Sequence, residues 1–100
     1  MSERGEAKRI GAKQHKNSGR NYTKGDASWR NYVLDFKEYG RSFSITQEVW
    51  AKVVTDALKV DRSKSPAIAL ALGEEGTPKV RLAIIEWYEF ERLTENDNDA

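Results

Sequence analysis

A chain of 100 residues, 38% of them hydrophobic and 33% charged, has room for one compact domain and excludes a second. Its clusters of Trp, Tyr, Val, Ile and Leu exclude a disordered chain, and the absence of cysteine excludes a disulfide framework and a thiolate zinc site. The net charge of +1 conceals a division: residues 1–30 carry eight basic and three acidic side chains, a balance of +5, whereas residues 65–100 carry three and eight, a balance of −5. Only the N-terminal part is suited to lie along phosphates.

In chain order, the composition from Glu3 to Lys13 suits a short helix with a thin apolar face of Ala7, Ile10 and Ala12. Its opening residues contain no apolar core of the signal-peptide kind, and the longest apolar stretch, Pro66 to Leu72, is too short to span a bilayer, so an intracellular setting without a membrane role is expected. Gln14 to Lys24 reads as a polar, glycine-punctuated loop. From Ser28 to Lys37, Tyr32, Leu34 and Phe36 alternate with Val33, Asp35 and Lys37 at the period of a strand. After the turn signal at Tyr39-Gly40, a second extended piece at Ser42 to Ile45 is expected to complete a hairpin.

Thr46 suits an N-cap, and Ile45 is placed to pack on Trp50 as a hydrophobic staple. The positions Trp50, Val53, Val54, Ala57 and Leu58 follow the spacing of one buried helical stripe. Ala67 to Leu72 is short enough for a strand covered on both faces. Gly73 to Pro78 reads as a turn and Val80 to Trp87 as a further strand. Tyr88 to Leu93 is open between strand continuation and a short helix, before an acidic tail over residues 94–100 that is expected to fray. The predicted fold is α/β or α+β: a mixed central sheet flanked by helices, in one domain over residues 1–93.

Residues i and i+2 of a strand project on one side, so Asp35 and Lys37 place a carboxylate and an ammonium together while Phe36 points into the core. Upstream, Lys24-Gly25-Asp26 sets another carboxylate where a glycine lets the chain turn into the sheet. Magnesium prefers oxygen ligands and is commonly held by one or two carboxylates plus a substrate phosphate. A neighbouring lysine can orient the attacking water.

The ordered series Glu6, Asn17-Ser18-Gly19-Arg20, Lys24-Gly25-Asp26, Val33-Leu34-Asp35-Phe36-Lys37 and Ser42-Phe43-Ser44-Ile45 ahead of an amphipathic helix resembles the PD-(D/E)xK nucleases. More narrowly, it is similar to the small Holliday junction resolvases of archaea and their phage-encoded relatives. The likeness covers residues 3–90, with Gly25 standing where proline is usual and Asp35 where glutamate is commoner. It implies a restriction-endonuclease-like sheet and a magnesium-dependent endodeoxyribonuclease, with manganese as a possible substitute. It also implies metal binding by Asp26, Asp35, the Phe36 carbonyl and Glu6, water positioning by Lys37, and an approach of Ser18 to the scissile phosphate. A homodimer cutting four-way junctions follows from the same likeness, in the cytoplasm, or in that of a host cell for a phage-encoded chain. Lys13, Lys16, Arg20, Lys24 and Arg30 would grip flanking DNA.

Plainer readings stand beside these. Asp35 and Lys37 suit a solvated ion pair, Asp26 a turn aspartate, and Glu6 an exposed position on a polar helix. His15, in polar surroundings, reads as a surface residue rather than a ligand. Trp50 reads as core, whereas Tyr22, Trp29 and Trp87 are open between base stacking, packing and a subunit contact. The alternatives to a resolvase are a nuclease for other branched, nicked or single-stranded DNA, a non-catalytic DNA-binding module, and a structural phage protein.

Overall fold

The computed structural model describes residues 13–14 and 26–98. Strands β1 (Lys13–Gln14), β2 (Asp26–Trp29), β3 (Tyr32–Tyr39), β4 (Ser65–Leu72) and β5 (Val80–Ile84) form one sheet in sequential order, with helix α1 (Gln47–Val60) between β3 and β4 and helix α2 (Trp87–Asn98) after β5. Every neighbouring pair is antiparallel except β3 and β4, which run parallel from Tyr32↔Ser65 to Tyr39↔Leu72. The fold is therefore α+β with a mixed sheet. No helix among the described residues is long and apolar enough to cross a membrane.

β4 is the apolar centre. Ala67 and Ala71 are buried on one face and Ile68 and Leu70 on the other, Ile68 with no exposed surface at all, as the continuous apolar run demands. Alternation splits the core in two. Ala27, Leu34, Phe36 and Ala67 pack with Trp29, Tyr32 and Ile85 on one face. Val53 of α1 packs with Ile68, Leu70, Phe43, Trp50 and Ile84 on the other. Burying a side chain the size of Ile68 stabilises the fold by about 1.5–3 kcal/mol.

Helix α1 begins where expected, with the Thr46 hydroxyl accepting from Val49 N at 3.1 Å. Its stripe narrows to buried Val53 and Ala57 with Trp50 and Val54 half-buried, and Leu58 is exposed. Ile45 is likewise 46% exposed, and it is Phe43 that joins Trp50 in the core. At the far end of β4, Gly73 has φ +154°, and a Cβ there would lie 2.9 Å from the Pro78 carbonyl oxygen. Only glycine fits this close approach.

The structure corrects several expected elements. The predicted strand Ser28 to Lys37 is interrupted by a two-residue connection, Arg30 and Asn31, that joins β2 to β3 as a hairpin. Arg30 carries the connection with φ +56°, a conformation usually left to glycine or asparagine, so no glycine marked the break. Ser42 to Ile45 is not a strand, because β2 and β4 already occupy both edges of β3. Lys13, expected to end a helix, and Gln14, expected in a loop, pair instead with Ser28 and Ala27 of β2; the rest of that helix and loop lie outside the described residues. β5 stops at Ile84, and Trp87 opens a helix, where the Glu86 carbonyl accepts from Glu89 N and Phe90 N. That helix continues through Asn98, where a frayed tail is predicted from Thr94.

What holds α2 is a buried carboxylate. Glu89 is 3% exposed and accepts from the Tyr32 hydroxyl at 2.6 Å and from the Arg92 guanidinium one turn on. The Arg92 guanidinium first, then the Tyr32 hydroxyl, hold the Glu89 carboxyl below its ordinary value, against the opposing effect of burial. A depressed carboxyl contributes stability that is complete above the unfolded value of 4.5 and is lost as the pH falls through the lower folded value. Glu89→Gln is expected to destabilise the protein at neutral pH by about 2 kcal/mol in urea unfolding and to flatten the acid loss of stability. An unchanged acid limb would assign that loss to other carboxylates.

Candidate active site

The site is built on the hairpin. Alternation along β3 puts Val33, Asp35 and Lys37 on the face that α1 covers farther along the sheet, and Tyr32, Leu34 and Phe36 on the opposite one. The β2–β3 register sets Asp26 directly against Asp35. Directly opposed residues of an antiparallel pair share a face and have Cβ atoms about 5 Å apart. The row continues across the sheet through Ile68 to Ile84.

On this face Lys37 Nζ lies 3.4 Å from Asp35 Oδ1, with the lysine side chain 23% and the aspartate side chain 16% exposed. The ammonium also sits 5.9 Å from the centroid of the Phe43 ring, near the outer limit of a cation–π contact. That ring lies 5.1 Å from the ring of Tyr39, tilted 32° to it. Phe43 was visible in the sequence only as part of an expected strand. Its placement beside Lys37 depends on the loop that replaces that strand.

The floor beneath Asp35 is apolar, made by Val33, Ile68 and Leu70, each at most 5% exposed. Charge–charge interactions over such a floor are stronger than in water, where two unit charges 4 Å apart gain only about 1 kcal/mol. Like charges at directly opposed positions of an antiparallel pair are in general destabilising. Among the described residues no group of three or more His, Cys, Asp and Glu side chains could hold a metal ion. The pair Asp26 and Asp35 is nevertheless within the one or two carboxylates that magnesium commonly uses, with water and phosphate completing its shell.

No protein-family model, curated protein or solved structure matches this chain. The site is therefore read from its own geometry.

The remaining candidates are distributed as follows. Phe36 is buried in the core on the other face, and its peptide lies between Asp35 and Lys37. Lys13 stands opposite Ser28, and Ser28 opposite Val33, which places Lys13 on the face of Asp35. Arg30 is at the hairpin connection, its guanidinium 4.9 Å over the Trp29 ring. Glu6, Ser18, Lys16, Arg20 and Lys24 lie outside the described residues. An apolar groove lined by Trp29, Tyr32, Phe36, Ile85 and Leu93, with Arg81 also in its wall, opens on the face opposite Asp35.

A cation held at Asp26 and Asp35 predicts a linked gain in stability. At a magnesium concentration about 100 times Kd the gain is about 2.7 kcal/mol, on the order of 10 °C in Tm for a domain of this size. Asp35→Asn is expected to abolish the shift. Thermal melts with and without magnesium check this, and equal shifts in both proteins would place the cation elsewhere.

Proposed function

We propose that the chain is a magnesium-dependent DNA endonuclease of the PD-(D/E)xK type, most similar in its expected action to Holliday junction resolvases. The observation that carries this reading is the register Asp26↔Asp35 combined with the 3.4 Å approach of Lys37 to Asp35. Two carboxylates and one ammonium, brought together from adjacent strands, are the groups that phosphodiester hydrolysis needs in one place. The order of the sheet supports the same reading: an antiparallel hairpin bearing both aspartates, then a helix, then a strand parallel to the second hairpin strand. This is compatible with the restriction-endonuclease-like core that the sequence motifs imply.

Asp26 and Asp35 hold the metal, with the Phe36 carbonyl and Glu6 as the further ligands implied by the resemblance. Bound there, magnesium, or manganese in its place, supplies a water of lowered pKa and positive charge against the phosphate. Asp35 is kept in place by the strand that carries it and by its ion pair, so little reorganisation is needed when DNA arrives. Lys37 orients the attacking water and contributes positive charge beside the phosphate as negative charge builds on its oxygens. Ser18 approaches the same phosphate. The basic residues Lys13, Lys16, Arg20, Lys24 and Arg30 grip the flanking backbone, and their contribution weakens with salt.

A two-fold homodimer presents two such sites to strands related by the same symmetry. A four-way junction offers two equivalent strands at fixed spacing, and a linear duplex does not. Labelled four-way, nicked, linear and single-stranded DNA, incubated with and without magnesium near physiological salt, tests the proposal. Paired symmetric incisions in the junction are expected, with linear DNA cut at least about tenfold more slowly, equivalent to about 1.4 kcal/mol in the barrier. Asp35→Asn and Lys37→Ala should retain junction binding and lose cutting. Equal rates on junction and linear DNA would leave a general nuclease, and binding without cutting under any metal would leave a DNA-binding module.

A further inference from the structure

The β3–β4 register brings a second basic group to one end of the sheet, far from the N-terminal region in sequence. Parallel pairing begins at Tyr32↔Ser65, so the loop that follows α1 is drawn against the tip of the β2–β3 hairpin. Ser65 N donates to the Asn31 carbonyl at 2.9 Å, and Lys64 Nζ donates to the Arg30 carbonyl. Arg30, Lys59, Arg62 and Lys64 thereby share this end. Arg30, Lys59 and Arg62 are exposed and Lys64 is half-buried. None of the four makes an ion pair with another described residue. The nearby acid, Asp61, is occupied, accepting from Ser63 N at 2.9 Å and from Ser63 Oγ at 2.6 Å.

The opposite end of the sheet is arranged differently. There Arg41 pairs with Glu74 at 2.8 Å and Lys79 with Glu38 at 3.6 Å, so its cations are compensated. Lys59 has an additional role, since a cation in the last turn of α1 suits the helix dipole. Arg62 has no such role. Arg30 occupies a position with φ +56° that glycine or asparagine would fill at lower cost, and its guanidinium is supported on Trp29. Cations without an ion pair among the described residues, three of them exposed and two of them arginines with forked donors, fit a polyanion whose charges are regularly spaced.

We infer that Lys59, Arg62 and Lys64 join Arg30, already placed among the DNA-gripping residues, in a further DNA-backbone contact that grips the duplex arm beside the Asp26–Asp35–Lys37 site; this rests on the reading of DNA as that site's substrate. The chain from Arg30 to Asp35, at about 3.3 Å per residue, covers roughly 15 Å. That corresponds to about four to five base pairs along a duplex rising roughly 3.4 Å each. Because α1 lies over the face that carries Asp35, its C-terminal end and the following loop border the surface on which DNA would lie.

The test is binding of a short fluorescent duplex to the full chain in EDTA, across a series of salt concentrations. The double variant Arg30→Gly, Arg62→Ala is expected to lower the slope of log K against log salt by about 2 and to weaken binding at least about tenfold at ~0.1 M salt. Thermal melting of Arg30→Gly should equal or exceed that of wild type, because the left-handed conformation suits glycine. Should the double variant unfold, Lys59→Ala with Arg62→Ala carries the same expectation. Lys52→Ala, which removes a lysine paired with Asp56 at 3.3 Å, is the control and should leave the slope unchanged. An unaltered slope in the double variants, or an equal loss in Lys52→Ala, overturns the inference. A lowered slope in a protein that cuts no DNA with any metal keeps this contact and overturns the nuclease; cutting retained with an unaltered slope does the reverse.

Discussion

Strand β3 is hydrogen-bonded along both edges, antiparallel to β2 and parallel to β4, and nearly everything else in the molecule is placed by that fact. With both edges filled, the segment after Tyr39 has no strand left to pair with. It leaves the sheet as a loop, delivers Phe43 next to Lys37, and enters α1 through the Thr46 cap. The helix must then return the chain to the start of β4, because a parallel neighbour requires a crossover. Alternation along β3 does the rest, sending Leu34 and Phe36 to one core and Val33, Asp35 and Lys37 to the face of the other.

The polar groups on that second face are maintained at a cost. Asp35 and Lys37 stand above Val33, Ile68 and Leu70, and a well-packed apolar pair in their place would serve stability at least as well, since buried and half-buried ion pairs seldom outperform hydrophobic neighbours. Glu89 presents the contrasting case. It too is a carboxylate in an apolar setting, but Tyr32 and Arg92 satisfy it locally, and its effect is to fasten α2. One carboxylate is balanced by its own chain. Asp35 is instead paired with Lys37 on a partly exposed face, opposite Asp26 in the strand register, and this setting separates a candidate ligand from a structural acid.

The sequence was most legible where one periodicity acted alone. The Thr46 cap and the stripe of α1, the two-sided apolar run of β4, and the alternation that set Asp35 beside Lys37 could all be read from residue spacing. The hairpin tip could not, because Arg30 and Asn31 carry no glycine and the flanking residues read as continuous strand. The expected strand at Ser42 to Ile45 failed for a non-local reason, the occupation of both β3 edges. A short helix over Tyr88 to Leu93 was one of two open readings, and spacing did not decide it because the anchor of that segment, Glu89, meets Tyr32 only through tertiary contact. The opposition of Asp26 to Asp35 was legible as a possibility of convergence; its register was not. Glu6 and Ser18 lie outside the described residues, so their part in the reading still rests on motif order.

The two-residue connection at Arg30 and Asn31 also bears on the order in which the molecule assembles. A hairpin closed by so short a loop forms on a timescale of about 1–10 μs, whereas β4 can join β3 only after the whole loop–helix crossover has been ordered, with the larger loop-closure entropy that entails. The register that opposes Asp26 to Asp35 is therefore set early. The apolar neighbours Ile68 and Leu70 arrive later, with β4. The face that carries Asp35 and Lys37 is thus completed only when the parallel strand docks.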